Sequence, residues 1–497
     1  MKRLYLTIII CALILLCACG GEPPVEELTT VVTAETISEL DSYPDLVTLD
    51  LSGSDCYAEI EAYIAAHPQV DVTYTVSIGG SEVDSRVQGL DLSEQPYELD
   101  TLCAAAPYLK DLTDIRFDTP LSPDELDAVF TAFPQANVHY LVRALGGEFE
   151  PDTTELDLSV VSPKDAAEAA HLLCYLRSLT RVNLLDQNGE SAWTLDDLEL
   201  LRSAAPEGTA FDCRFELFGQ FVSSEDEEII YERVPIGDEG LERVRAALPY
   251  LRSCNRFLMD DCDIDYELLS QLRDDFPETK IVWRVRFGVD SALTDTEVIW
   301  SIYVRDENCF VLNYCNEVKY IDLGHTLELS DISFMAYMPL LEVVIIARTN
   351  VSDLSPLLNC PNLEYLEIFS TSVTDLSLLA NFTNLEHLNI SNLPEVTDIS
   401  PLYGLTKLKR LDLVLSYVPA EQKAEIRELL PDCQMIFQAV NPTDNGWRRD
   451  RLNNFVPRYA LLREQIGYAN YASPKDLIPW NYVWDMGYTT ESVFTRS

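Results

Sequence analysis

The chain has 497 residues, with 83 acidic against 35 basic side chains, a net charge of −48 and 47% hydrophobic residues. A surface this acidic repels phosphate backbones, which argues against a nucleic-acid partner, and the apolar content is too high for a disordered acidic tail. The chain therefore carries ample material for a packed core.

In chain order, Met1-Lys2-Arg3 precedes a short apolar run from Leu4 to Leu16. Two positive charges before an apolar stretch too short to span a bilayer predict a secretory leader over residues 1–18. The run ends in Leu16-Cys17-Ala18-Cys19, which resembles a bacterial lipobox. That resemblance implies cleavage before Cys19, lipidation of its thiol, and a place on the extracellular face of the bacterial cell membrane. A plain secretion signal with a chance cysteine is the other reading. Loss of Lys2 and Arg3 with the leader deepens the net charge to −50, so anionic head groups repel the mature surface and a covalent anchor is the expected membrane link. Residues 19–43, rich in Glu, Thr, Val and Pro, carry no sustained period and read as a linker. Beyond the leader and Cys19 ten cysteines remain, irregularly spaced and without a Cys-x-x-Cys pair; free buried thiols fit at least as well as disulfides.

Residues 44–310 read as long, irregular modules. Helical patterns end at Pro68, Pro134, Pro206 and Pro277, about 70 residues apart, and an alternating strand follows each. Those strands carry Val72, Tyr74, Val76 and Ile78 in the first module and Ile281, Trp283, Val285 and Phe287 in the last. Helix starts are marked at Ser122-Pro123-Asp124-Glu125 and Ser162-Pro163-Lys164-Asp165, where serine precedes an N1 proline and acids fill the first turn.

Residues 311–440 hold a shorter repeat. Leu-x-x-Leu-x-Leu phrases begin at Val318, Leu341, Leu363, Leu385 and Leu408, spaced by 22 or 23 residues. A [Ser/Thr]-Asp-[Ile/Leu]-Ser tetrapeptide starting at Ser330, Ser352, Thr374 and Thr397 follows the first four. This period predicts an α/β solenoid in which stacked units share one core, with a parallel concave sheet and helices on the convex side. The same helix-Pro-strand ending returns at Leu430-Pro431, so one right-handed coil of related units is the expectation for both halves. The tail, 441–497, leaves the pattern. It is rich in Trp and Tyr and reads as a terminal cap over the last repeat or as a small aromatic binding element.

The short repeats resemble the internalin-like leucine-rich repeats of bacterial surface proteins: Leu354-Ser355-Pro356-Leu357 and Ile399-Ser400-Pro401-Leu402 match the family phrase closely. The resemblance covers about a quarter of the chain and implies a solenoid that holds a ligand on its concave face. The family's asparagine ladder is replaced by Thr326, Thr349, Thr371 and Leu393. Alternation along the strands places Tyr320, His325, Val343, Ile345, Arg348, Tyr365, Phe369, His387 and Arg410 among the outward residues. Val343, Ile345, Tyr365 and Phe369 then form an apolar centre rimmed by charge, the expected ligand surface, unless the C-terminal tail folds over them.

Catalytic chemistry is not signalled. His67, His139, His171, His325 and His387 are scattered, and phosphate-loop, dinucleotide and nucleophile-elbow motifs are absent from the sequence. Alternating Asp261, Asp263 and Asp265 suggest a calcium loop, but Tyr266 stands where the turn needs glycine and Leu272 where a bidentate glutamate is required. The sequence thus predicts a lipid-anchored surface protein that binds a protein or other macromolecule without catalysis and without metal or cofactor. A glycan-binding or glycan-processing envelope protein is the alternative.

Overall fold

The computed structural model describes residues 25–118, 121–443, 446–448, 459, 462–463 and 466. The predicted leader and Cys19 lie outside them. The chain forms two compact units: residues 1–225 with 249–251, and residues 226–248 with 252–497. The division falls at Glu225, well before the predicted join near residue 310.

The first unit repeats one motif three times: three short parallel strands followed by an antiparallel hairpin. The first sheet pairs Glu27–Thr29, Thr48–Asp50 and Asp71–Thr73; the second, Gly89–Asp91, Asp114–Arg116 and Asn137–His139; the third, Glu155–Asp157, Arg181–Asn183 and Ala210–Asp212. The stretch 25–43, expected as a linker, is folded. Its strand joins the first sheet, and Val32 and Leu40 are buried, because the next strand would otherwise present an open edge. The strand predicted after each proline is broken in this unit. Asp71–Thr73 pairs parallel with its predecessor, then Thr75–Ser77 turns away to pair antiparallel with Glu82–Asp84.

Helices connect the strands where the capping signals place them. Pro123–Ala132 starts at Ser122 with a reciprocal capping box to Glu125, and Leu195–Ala204 starts at Thr194 with the same arrangement to Asp197. Each box satisfies backbone donors that a helix start leaves open.

The second unit opens with a fourth module, the parallel strands Glu228–Glu232, Arg256–Asp260 and Lys280–Phe287, the last long enough to continue unbroken into a hairpin with Asp290–Leu293. A seven-stranded parallel sheet follows, from Val298–Trp300 through Tyr320–Asp322, Val343–Ile345, Tyr365–Glu367, His387–Asn389 and Arg410–Asp412 to Gln434–Ile436. Its middle residues Ile321, Val344, Leu366, Leu388 and Leu411 are fully buried, each contributing about 1.5–3 kcal/mol of apolar burial. The short repeats return through 3-10 turns such as Ser355–Asn359 and Ser377–Asn381 rather than α-helices. A 22-residue period leaves room for little more than one such turn.

The recurring Asp-x-Ser has a local cause. Asp353, Asp375 and Asp398 each accept from the backbone N–H of the serine two residues on, at 2.8–2.9 Å, which starts the turn. Those bonds hold their carboxyls below the usual range. In place of an asparagine ladder, Thr349 and Thr371 donate to the carbonyls of Ile346 and Ile368 within their own repeats. The ten described cysteines are free thiols, most of them buried. In the acidic run, Asp260 is engaged by Arg284 and Asp261 by Arg286, while Asp265 caps the helix Tyr266–Asp275.

Candidate functional site

The seven-stranded sheet aligns its outward residues in two rows. Tyr320, Val343, Tyr365, His387 and Arg410 stand in register in one row, and Asp322, Ile345, Glu367, Asn389 and Asp412 in the next. The alternation read from sequence placed them correctly on one face. Their exposure is a correction: Tyr320, Val343, Ile345, Tyr365, Phe369, His387 and Arg410 are all buried, none more than 4% accessible.

The chain's own tail covers Tyr320, Val343, Ile345, Tyr365 and Phe369. Trp447, Tyr459, Leu462 and Ile466 form one apolar cluster with Tyr320, Val343, Ile345 and Tyr365. The described tail residues therefore lie across the face instead of capping the last strand. Indole Nε1 of Trp447 donates to Glu367 Oε1 at 2.6 Å, and the Trp447 and Tyr365 rings sit 5.3 Å apart. Arg448 pairs with the same carboxylate through Nη2 and Nε, and its guanidinium lies over the rings of Tyr459 and Phe369. Asn389 Nδ2 donates to the Pro442 carbonyl at 2.9 Å.

The covered face is electrostatically built. Burial works against the charge of Arg448, but the Glu367 carboxylate outweighs it and the guanidinium is held firmly protonated. Burial pushes Asp322 up to about 7, against the pull of Arg448 and of the Gly324 N–H it accepts at 2.8 Å. Arg410 is turned within its own repeat onto Asp412 and toward Gln434. No sequence signal pointed to Trp447, Arg448 or Glu367. The aromatic and arginine richness of the tail was visible, and the tail folding over the apolar centre of Val343, Ile345, Tyr365 and Phe369 was the alternative to an open ligand surface; the structure takes that alternative.

One row stays open. After each strand, a residue takes the left-handed conformation: His325, Arg348, Ser370, Asn392 and Leu415, with φ between 52° and 70°. Each of the first four sends its N–H to the next repeat, for example Arg348 to the Phe369 carbonyl at 2.9 Å, which sustains a conformation that costs non-glycine residues about 1–2 kcal/mol. His325, Arg348, Asn392 and Leu415 are exposed and Ser370 half-buried. Burial and the neighbouring Arg348 hold the His325 imidazole below its usual pKa. Of the nine predicted ligand-binding residues, His325 and Arg348 alone remain accessible.

The family described as Leucine Rich repeats (2 copies) matches residues 361–402. These repeats are leucine-rich repeats. Among solved structures, internalin C2 of Listeria monocytogenes is 20% identical, covering 48% of this chain and 89% of its own at a TM-score of 0.27. A second Listeria monocytogenes internalin is 15% identical, covering 83% of this chain and 81% of its own at 0.25. A leucine-rich-repeat protein of Leptospira interrogans is 14% identical, covering 82% and 95% at 0.27. No curated protein matches the chain. The fold is a leucine-rich-repeat solenoid, as the register of the parallel strands requires.

Proposed function

We propose that this leucine-rich-repeat chain is a lipid-anchored protein of the outer face of a bacterial cell membrane that binds a protein or other macromolecule without catalysis. The observation that carries the reading is the exposed row of His325, Arg348, Asn392 and Leu415, projected at the repeat spacing beside a face already filled by the tail. Side chains held at a regular spacing on a rigid sheet bind with little ordering cost, because their backbones are fixed by hydrogen bonds between repeats. Unpaired Arg348 among the described residues and apolar Leu415 offer the mixed contacts found at interface centres. The resemblance to internalin-like surface proteins points the same way, as does the lipobox ending at Cys19.

The test is direct binding by the full mature chain to a partner captured from native surface material and then purified. Replacing His325 and Arg348 together by glutamate should weaken that complex at least about 10-fold, since these positions supply the row's imidazole and guanidinium and the change reverses the local charge. Undiminished affinity refutes this row as the site.

A further inference from the structure

The first unit contains a cleft of about 870 Å³ that the proposed binding row does not use. It opens at the carboxyl ends of the strands Gly89–Asp91, Asp114–Arg116 and Asn137–His139, where open parallel sheets place their ligand crevices. Its size is that of a pocket for one small molecule. The register brings Asp91, Arg116 and His139 side by side in one row along its edge. Buried Phe117, Tyr140 and Tyr175 line it as well, and Tyr140 is fixed by donating its hydroxyl to the Tyr175 carbonyl at 2.5 Å.

The cleft mixes acceptors with cationic and imidazole donors. Its lining sets Asp91, Asp118, Glu125 and Glu150 beside Arg116 and Arg143, with two of the five histidines, His139 and His171. Two of those acids are already engaged: Asp91 accepts from Ser93 N–H and Oγ at 3.0 and 2.6 Å, and Glu125 accepts from Ser122 N–H at 2.7 Å. Two of the basic groups are engaged as well, Arg143 with Glu148 at 2.9 Å and His139 Nε2 with Asp114 at 3.4 Å. Arg116 is exposed and attracts the neighbouring Asp91, but among the described residues its guanidinium makes no hydrogen bond or close ion pair. The His171 ring meets Tyr175 edge-on at 5.1 Å, and among the described residues its nitrogens are unengaged. What is left open is the Arg116 fork and the His171 ring as donors, with Asp118 and Glu150 as acceptors able to take hydroxyl hydrogens.

We propose that this cleft binds a small hydroxylated organic anion, such as an acidic sugar, with Arg116 gripping its carboxylate or phosphate and the neighbouring carboxylates accepting from its hydroxyls. Arg116 supplies a planar fork matched to either anion. The site is independent of the binding row in the second unit.

Calorimetric titration of the full mature chain at low salt tests it, with D-glucuronate, glucose 6-phosphate, glucose and inorganic phosphate as probes. Glucuronate or the sugar phosphate, whichever carries the preferred anion, is expected to bind saturably and at least about 10-fold more tightly than glucose. Arg116→Gln should weaken that binding by about 10- to 100-fold, Arg116→Lys by less, and Arg181→Gln, which lies outside the cleft on the third sheet, not at all. Absence of binding by both sugar anions up to about 10 mM overturns the proposal, as does wild-type affinity in Arg116→Gln or an equal loss in Arg181→Gln. Inorganic phosphate binding as tightly as glucose 6-phosphate overturns the role given to the hydroxyls.

Discussion

Glu367 carries two tail contacts on one fully buried carboxylate, the Trp447 indole and the Arg448 guanidinium. Breaking a buried pair by removing one charge strands the other, at a cost of about 3–5 kcal/mol. Glu367→Gln, which can still accept from the indole, should therefore lower the urea midpoint of the second unit markedly, and a loss below about 1 kcal/mol would show the pair to be solvated. Asp322 gives the same face a pH dependence. Its folded pKa, about 7, lies above the ordinary 3.8, so its contribution is fully present below about pH 4 and is lost as pH rises through 7. Urea midpoints of wild type should fall relative to Asp322→Asn between pH 4 and 8, since asparagine can still accept from Gly324 but does not ionise. Parallel curves for the two proteins would place the titration elsewhere.

At the scale of elements, the tail replaces solvent over the sheet. Ending the chain at Val440 should uncover Tyr320, Val343, Ile345 and Tyr365 together, a contiguous apolar patch of the kind that binds reporter dyes and promotes association. Dye fluorescence and light scattering on the truncated chain check this, and unchanged signals would mean the face is not apolar once bared. The turns answer to a smaller probe: Asp353→Ala removes the acceptor that starts Ser355–Asn359 and should cost about 0.5–2 kcal/mol in thermal unfolding. These elements also show what was legible in the sequence. The 22- and 23-residue spacing fixed which residues stack, because each Leu-x-x-Leu-x-Leu phrase must meet its neighbour in register. Alternation assigned Tyr365 and Glu367 to one face, but alternation says nothing of what lies above a face, and the Trp447 contact spans 80 residues. The breaks between Asp71–Thr73 and Thr75–Ser77 were hidden for a related reason. Buried Tyr74 keeps the period through the bend, so one strand and two read alike.

For the whole molecule, charge and anchoring act in opposite directions. Under the proposed cleavage before Cys19, the chain has a net charge of −50 and is pushed from anionic head groups within a Debye length, about 8 Å at physiological salt. Among the described residues no helix is long and apolar enough to cross a membrane. Under the proposed anchoring at Cys19, attachment comes from acyl chains, each buried methylene contributing about 0.8 kcal/mol regardless of ionic strength. Membrane-bound wild type should then resist washing with concentrated salt, which releases proteins held by charge. Cys19→Ser, with the same surface and no thiol to acylate, should appear in the soluble fraction at every salt concentration. Retention of Cys19→Ser in the pellet would require a different attachment, and its release from wild type by salt alone would require a cationic partner on the membrane, the one arrangement in which an acidic surface of this size works toward the bilayer.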